Sequence, residues 1–506
     1  MSSAVILAVV FGYFVLLLAI AFYTSRNTGN DDFFIGHKSS KWYLVAYGMI
    51  GTSLSGVTFM SVPGKVNTAH FYYLQVVIGY LIGYIVVAMV LLPLYYRLNL
   101  TSIYSYLKER FGVTTYKTGA SFFLLSRTLG ASLRIYLVLY VLQNFMLAEM
   151  GVPFTLTAFV ILLMILLYTY KGGVKTIVWT DTLQTTFMIL ALVVTIGLIC
   201  SELNFSFGGL VSELHKNNYT DVFNYDWKAK GFMLKQILGG AFITITMTGL
   251  DQEMMQKNIS IRSLGEAQKN MFTFSGILLV VNLLFLVLGG ALYVYVAQKG
   301  ITLSGQTDDT FPLITLHYLS PIAGVIFIVG LISALFPSAD GAMTALTSSF
   351  CIDILDFKNR TDIGEKEKEK RRIMVHSTVA VIFFLLILVC KAINEKAVID
   401  LVLDIAAYTY GPLLGLFSFG ILTKRKLNDA LTPVICITAV VLAVFISPPI
   451  PDKIYSSLPQ FFTDYKTWRE GVLHGYQMGL ELLVINGLLT FAGLWAISTK
   501  VSTTKQ

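Results

Sequence analysis

Apolar segments long enough to cross a bilayer recur along almost the whole chain. They begin near residue 4 and end near residue 498. Since a membrane-crossing helix needs roughly twenty residues, we expect about thirteen such helices. The pattern predicts an all-α polytopic membrane protein and leaves no stretch for a large soluble domain.

Two of these apolar segments are interrupted by small and polar residues. Residues 51–58 read Gly-Thr-Ser-Leu-Ser-Gly-Val-Thr, and residues 333–340 read Ser-Ala-Leu-Phe-Pro-Ser-Ala-Asp. Lipid cannot satisfy the backbone carbonyls that such residues expose, so interruptions at membrane depth normally line a binding site. We therefore predict that the helix is interrupted at both places and that the exposed carbonyls bind a ligand.

The spans fall into two groups of five, with an odd number of crossings between corresponding members. This arithmetic is typical of an inverted-topology repeat. We predict an N-terminal extra helix with an inner loop (1–41), a first five-helix repeat (42–200), an outer loop (201–232), a second five-helix repeat (233–422) and two C-terminal helices with a tail (423–506). The opener of the second repeat, with Gly239-Gly240 and several threonines, is unusually polar, which predicts a site between the two openers near mid-membrane.

Composition and charge agree with this topology. The chain is 55% hydrophobic and only 13% charged, and its net charge is +8. With the N-terminus outside, 24 of the 37 Lys and Arg residues fall in the tail from residue 499 and in the predicted cytoplasmic loops 25–41, 97–117, 171–175, 252–270, 356–374 and 424–426, against 9 in outer loops. Positive-inside topology thus explains the excess, and nucleic acid is not indicated as a partner. We predict a C-terminus in the cytoplasm and a first helix, 4–24, that is retained because no cleavage signal accompanies it.

Five motifs resemble the sodium/solute symporter family in their order and spacing. Within that family, the first interrupted helix is most similar to bacterial sialic acid symporters and, more distantly, to sodium/galactose symporters. The motifs are Asp32-Phe-Phe-Ile-Gly, the run Ser53 to Gly64, Thr101 to Phe111, Gly172-Gly173 followed by Trp179-Thr-Asp181, and Asp251-Gln-Glu-Met-Met-Gln-Lys257.

The resemblance implies a five-plus-five inverted-repeat core, alternating access and one or two sodium ions as the driving ions. Carried over by position, the sodium ligands are the carbonyls of Gly51, Leu54 and Ala334 and the hydroxyl of Ser338. A hard cation needs oxygen ligands, and a helix broken by Gly and Ser offers free carbonyls. The alternative is that these small residues only allow close helix packing.

Two departures from the family pattern concern the ion sites. Pro337 stands where relatives place the first of two serines, and Asp340-Gly341 stand where relatives with a second sodium site place hydroxyls. Asp181 is the family's acidic residue beside the ion sites. Intramembrane carboxylates are costly, so we hypothesise that Asp181 and Asp340 bind a second sodium or that one of them exchanges a proton. A structural ion pair with a Lys or Arg is the alternative, and Asp340→Asn would test the hypothesis.

The resemblance also indicates solute-binding residues. Ser53, Ser55 and Thr58 match positions that contact solute in sialic acid symporters, although such hydroxyls can instead bond to their own helix. Further candidates, which could equally pack, are Gln75, Thr244, Thr248, Tyr408 and Tyr410.

Arg127 and Arg134 lie two turns apart on one face of the third core helix. Sialic acid symporters hold the solute carboxylate with an arginine on this helix, but the aligned position here is close to Leu129 or Gly130. We expect at least one arginine to bind an anionic group of the solute, because a guanidinium suits a carboxylate and is expensive to bury idle. The alternative pairs both arginines with Asp181, Asp340 or helix carbonyls.

The predicted function is therefore sodium-driven symport of a small organic solute, an anionic sugar acid or another carboxylate, across a bacterial inner membrane. A proton-coupled symporter and a neutral-sugar transporter of the same fold remain alternatives. An enzyme is disfavoured because metal, phosphate-loop and paired-cysteine motifs are absent. A sensor is disfavoured because few residues follow the last span, and neither a disulfide nor an obligate protein partner is indicated.

Overall fold

The fold was analysed in a computed structural model that describes residues 3–24, 40–303, 305–360, 362–393, 398–448 and 459–500. The motif that begins at Asp32 lies outside these residues.

The first half of the chain is helical and follows the predicted order. Helix α1 precedes the first repeat, and π-helical turns at Val87–Leu91 and Gln143–Leu147 continue α5 and α8. The helices are α1 (Ser3–Thr24), α2 (Trp42–Ser53), α3 (Gly56–Gly64), α4 (Val66–Ala69), α5 (Tyr73–Val86), α6 (Leu92–Arg97), α7 (Ser105–Arg110), α8 (Val113–Leu142) and α9 (Phe154–Glu202).

The second half is also helical and follows a connecting segment that holds α10 (Phe207–Lys216). Its helices are α11 (Met233–Thr244, extended by a π turn Ile245–Gly249), α12 (Gln252–Ile259), α13 (Leu264–Lys299), α14 (Thr310–Leu313), α15 (Pro321–Ser349), α16 (Glu365–Ile393), α17 (Val398–Thr409) and α18 (Gly411–Leu422). Three more follow, α19 (Thr432–Ile446), α20 (Gln460–Leu473) and α21 (Glu481–Ala496), and short antiparallel strands β1 (Lys426–Leu427) and β2 (Ser498–Thr499) pair near the C-terminus.

Within the described residues, eight helices are long and apolar enough to cross a membrane, or eleven when each of three bent pairs counts as one span. Two shorter apolar helices, Phe154–Thr169 and Glu481–Ala496, fall below that length. The expected class of a polytopic helical protein is confirmed, but the expected number of thirteen spans is not.

Both repeats open with a broken helix. Between α2 and α3 the chain bends by 55°, and between α11 and α12 it bends by 63°. A third bend of 45° separates α17 from α18. The first predicted interruption is therefore a true helix break, located at Leu54 and Ser55.

The second predicted interruption, 333–340, is wrong as a break because α15 runs through it without a gap. Pro337 removes one N–H donor and frees the carbonyl of Ser333, four residues earlier. The helix nevertheless continues, since α15 is packed along α9 and every residue from Gly330 to Ser349 is buried. Proline in a membrane helix can be tolerated where neighbouring helices hold the backbone in place.

Two predicted inner loops are also helical. Residues 171–175 lie inside α9, because a Gly pair costs only about 1 kcal/mol per residue in a helix and keeps every N–H donor. The predicted loop 252–270 contains α12, which is buried along its whole length. Its polar sequence resembles a loop, but its side chains bond to other helices.

The glycine pair Gly239-Gly240 allows close helix packing and does not form the break, because both glycines lie inside α11 and the bend comes after residue 249. A Cβ at Gly240 would collide with the backbone of Val76, and one at Gly239 would collide with Leu480. Small residues at such positions let membrane helices approach closely. Helices α5 and α11 are thereby held backbone to backbone beside the site.

Candidate sodium and solute sites

The break after α2 leaves backbone carbonyls without helical partners. The N–H of Leu54 still bonds to the carbonyl of Ile50, but within the described residues no hydrogen bond reaches the carbonyl oxygen of Gly51 or of Leu54. The last carbonyls of a helix lack partners unless a cap supplies them. Two of the predicted sodium ligands are therefore free to bind a cation.

Helix α15 lies against this break and brings a buried hydroxyl to it. A Cβ at Gly51 would lie 3.6 Å from Cγ of Pro337, so the two segments are in contact. The neighbouring Ser338 is 1% exposed, and in the described part of the chain its hydroxyl has no hydrogen-bond partner. Ala334 lies one turn earlier and is fully buried. A buried hydroxyl without a partner is unusual and calls for a ligand.

Helix α9 holds the other side of the break. Thr185 accepts a hydrogen bond of 3.0 Å from the Gly51 backbone N–H. Gln184 is fully buried, and neither atom of its amide group has a partner among the described residues. The sequence analysis missed both residues, although they lie at i+3 and i+4 from Asp181 and so share its helix face.

The two predicted carboxylates have different partners. Asp181 accepts from the Lys257 ammonium at 2.6 Å and from the Thr52 hydroxyl at 3.1 Å. Asp340 accepts from the Tyr168 hydroxyl at 2.6 Å and from the Gly341 N–H. The ion-pair alternative thus describes Asp181, and its cation is a lysine that we had placed in a cytoplasmic loop. The second-sodium and proton roles of Asp340 stay hypotheses.

A cavity with an empty volume of about 780 Å³ opens beside the break. Seven of the ten candidate solute residues line it: Ser53, Ser55, Thr58, Arg127, Arg134, Thr244 and Thr248. Residues that we did not predict also line it, among them Asn282 and three tyrosines of α5, Tyr73, Tyr80 and Tyr84. The tyrosine spacing of seven and four residues places them on one helix face and could have revealed them.

The candidate solute residue Gln75 lies outside this cavity. Its amide bonds to the carbonyls of Tyr72 and Gly231 and accepts from the N–H of Asn224. It therefore supports the connecting segment and lines a second cavity, which lies against the predicted outer loop.

Tyr408 of α17 and Tyr410, at the bend between α17 and α18, also do not line the main cavity. Tyr408 donates to the Ser447 carbonyl, and Tyr410 donates to Asp251 at 3.0 Å. Tyr410 does line a small cavity with both arginines.

The two arginines of α8 differ in their environments. Arg127 is 4% exposed, forms an ion pair with Glu253 and lies 3.9 Å from Asp251. Arg134 lines the same cavity, and no ion pair or hydrogen bond of its guanidinium is found among the described residues. The alternative hypothesis, in which the arginines pair with Asp181 or Asp340, is found for neither arginine among the described residues. Arg134 is therefore the arginine that is available to a ligand.

Comparison with known proteins identifies the family. The profile of the sodium:solute symporter family matches residues 33–435. The chain belongs to this family. The resemblance drawn from the motifs is confirmed, and the symporter uses sodium as its coupling ion.

Curated relatives align over most of the symporter. It is 25% identical to a sodium/sialic acid symporter of Aliivibrio fischeri, over 86% of each chain. It is 26% identical to a sodium/sialic acid symporter of Proteus mirabilis, over 86% of this chain and 88% of that one. A sodium-coupled monocarboxylate transporter of Mus musculus is also 26% identical, over 87% of this chain and 74% of that one.

Solved structures share the fold. A sodium-coupled sialic acid symporter in a substrate-bound outward-open state has a TM-score of 0.80 at 20% identity, covering 98% of this chain and 99% of that one. A nucleobase-cation-symport-1 family transporter in a closed conformation has a TM-score of 0.53 at 12% identity, covering 92% of this chain and all of that one. Together with the apolar helices, these likenesses indicate a multi-pass inner-membrane transporter.

Proposed function

We propose that the symporter imports an anionic sugar acid or a related carboxylate, and that Arg134 binds the anionic group. The observation that carries this proposal is the guanidinium of Arg134, which has no partner among the described residues, in a cavity whose other lining groups are hydroxyls, an amide, apolar side chains and the already paired Arg127. A buried or half-buried guanidinium is costly to leave without a partner and matches a carboxylate in geometry. The names of the two bacterial relatives, sodium/sialic acid symporters, support the same class of solute.

The hydroxyl groups would orient the rest of the solute. Ser53 and Ser55 flank the helix break, Thr58 follows it, and Thr244 and Thr248 approach from α11 and its π turn. A hydroxyl can both donate to and accept from sugar hydroxyls. Several hydroxyls beside a guanidinium that has no partner within the described segments suit a polyhydroxylated acid better than an apolar one.

We assign the sodium ion to the carbonyls of Gly51, Leu54 and Ala334 and the hydroxyl of Ser338. The free carbonyls at the break and the unpartnered Ser338 hydroxyl support this assignment. All four donors are oxygen atoms, which a hard cation requires. Gly51 and Leu54 flank residues that line the solute cavity, so a sodium ion there would lie directly beside the solute site.

The test compares Arg134→Gln with wild type in sodium-driven uptake and in binding of sialic acid to the purified protein. A hydrogen bond to a charged group contributes about 1.5–3 kcal/mol, so we expect binding to weaken about 10- to 150-fold. Arg134→Lys should lie between, because it keeps the charge and loses the planar fork. Arg360→Gln is the matched control, since Asp362 is the one acidic residue with which Arg360 pairs in the described part of the chain, and Asp362 is exposed.

Galactose and lactate complete the panel of solutes. Tight binding of galactose that ignores Arg134→Gln would favour the neutral-sugar alternative, and lactate binding that requires Arg134 would favour a small carboxylate. Unchanged sialic acid binding by Arg134→Gln would contradict the role of Arg134.

We also propose that the N-terminus is outside and the C-terminus is in the cytoplasm, as the distribution of Lys and Arg favours. A phosphatase reporter, which is active only outside the cytoplasm, should be inactive when fused to the C-terminus. An active fusion would contradict this orientation.

A further inference from the structure

The short helix α12 carries two buried charges that reach two different sites. Glu253 and Lys257 are one turn apart, and both are at most 3% exposed. Glu253 pairs with Arg127, which lines the solute cavity. Lys257 pairs with Asp181 and bonds to the Thr52 hydroxyl at 2.6 Å.

The Lys257 end of this chain lies beside the proposed sodium site. Thr52 is the residue after Gly51, and a Cβ at Gly51 would lie 3.6 Å from the backbone carbonyl of Asp181. Four residues, Arg127, Glu253, Lys257 and Asp181, therefore form a line of alternating charge from the solute cavity to the ion site. We call this line the charge relay.

Three polar atoms of the charge relay have no hydrogen-bond partner among the described residues. Among the described residues, no hydrogen bond is made by Nε of Arg127, by Oε1 of Glu253 or by Oδ1 of Asp181. Oε1 of Glu253 lies 3.7 Å from the Lys257 ammonium. A solute oxygen can therefore bind Arg127, and Glu253 can attract Lys257 more strongly when its own hold on Arg127 weakens.

The relay also occupies space on α15. A Cβ at Gly341 would collide with Oε1 of Glu253. Glycine at this position thus lets the Glu253 carboxylate lie against α15 between the two pairs. A larger side chain would push the carboxylate away from Lys257.

We propose that this charge relay couples solute binding to sodium binding. An anionic solute that binds Arg127 as well as Arg134 competes with Glu253 for Arg127, and Glu253 then draws the Lys257 ammonium away from Thr52 and Asp181. The Lys257 ammonium is a positive charge beside the sodium site and repels the ion. When this ammonium moves away from the site, the affinity for sodium rises. The inference rests on the proposed anionic solute, and by reciprocity sodium raises solute affinity by the same factor.

The first experiment measures sodium affinity without any solute. We expect Lys257→Met to bind sodium more tightly than wild type, because the competing cation is gone and Asp181 is left unpaired. Lys257→Arg keeps the charge and should behave like wild type. Unchanged or weaker sodium binding by a folded Lys257→Met variant would overturn the relay, whatever the solute is.

The second experiment measures sodium affinity with and without saturating sialic acid. In wild type, the solute should raise sodium affinity by about 5- to 150-fold, the usual range of coupling between sites. In Glu253→Gln this factor should fall to about one, because a neutral amide cannot pull Lys257. A merely structural role of Glu253 would lower stability but keep the factor.

A double variant guards against misfolding. Removing one partner of a buried pair is strongly destabilising, whereas neutralising both partners is tolerated far better. If Lys257→Met does not fold, Asp181→Asn with Lys257→Met should fold and show sodium binding that no longer responds to solute. A full solute response in that double variant would refute the relay.

The two proposals fail in different ways. If sialic acid does not bind wild type, the proposed solute is wrong, and the sodium affinity of Lys257→Met still decides the relay. If sialic acid binds and its effect on sodium survives Glu253→Gln, the solute proposal stands and the relay is wrong.

Discussion

Replacing Ser338 by alanine should raise the stability of the symporter in potassium and reduce the stabilisation that sodium gives. The Ser338 hydroxyl is buried without a hydrogen-bond partner among the described residues. Leaving such a group unsatisfied costs about 1–3 kcal/mol, so the alanine variant should unfold at a higher temperature when sodium is absent. In sodium this advantage shrinks, because wild type then gains a ligand for the ion and the variant gains less from it.

The size of the sodium effect follows from linkage. At a sodium concentration one hundred times the dissociation constant, binding adds about 2.7 kcal/mol to wild type. If the loss of one ligand weakens binding tenfold, the same sodium concentration adds only about 1.4 kcal/mol. Thermal unfolding of the purified protein in sodium and in potassium measures both quantities.

Ser61 provides a matched control. Its hydroxyl is also buried without a partner in the described residues, but it is not a proposed sodium ligand. Ser61→Ala should raise stability in potassium as Ser338→Ala does, and leave the sodium effect unchanged. If the two variants respond to sodium equally, Ser338 does not bind the ion.

Two further predictions concern the helix break after α2 and the second cavity, which lies against the predicted outer loop. A Cβ at Gly51 would lie 2.5 Å from the Thr185 hydroxyl, so Gly51→Ala should lower the stability by about 1–3 kcal/mol and weaken sodium binding. Adding Thr185→Ala should partly restore the stability and the sodium affinity. If the effects of the two substitutions are strictly additive in a double-mutant cycle, the steric explanation is refuted. The ion pair of Lys65 and Asp400, 2.5 Å apart, is partly exposed and lines the second cavity. Asp400→Asn should change the stability by at most about 1 kcal/mol and should speed thiol labelling of Leu403→Cys, because residue 403 lines both cavities. Unchanged labelling would show that this ion pair does not restrict access.

The sequence predicted one helix break correctly and one wrongly, for a physical reason. At residues 51–58 glycine and serine occur at several positions, and the chain leaves the helix at Leu54. At residues 333–340 the loss of one hydrogen bond at Pro337 is compensated by packing against α9, so α15 continues. A local pattern shows where a helix is weak, whereas its neighbours decide whether it breaks.

The sequence by itself determined the class of protein, the family and the kinds of group at each site. Runs of apolar residues require membrane-crossing helices, and oxygen-rich interruptions within them suit a cation. Only the tertiary structure decided which charges meet. Arg127 pairs with Glu253 and Asp181 with Lys257 across separations of 126 and 76 residues, because the bend before α12 sets the direction in which both α12 side chains point. Such pairing depends on the relative positions of three helices, and no local sequence pattern encodes it.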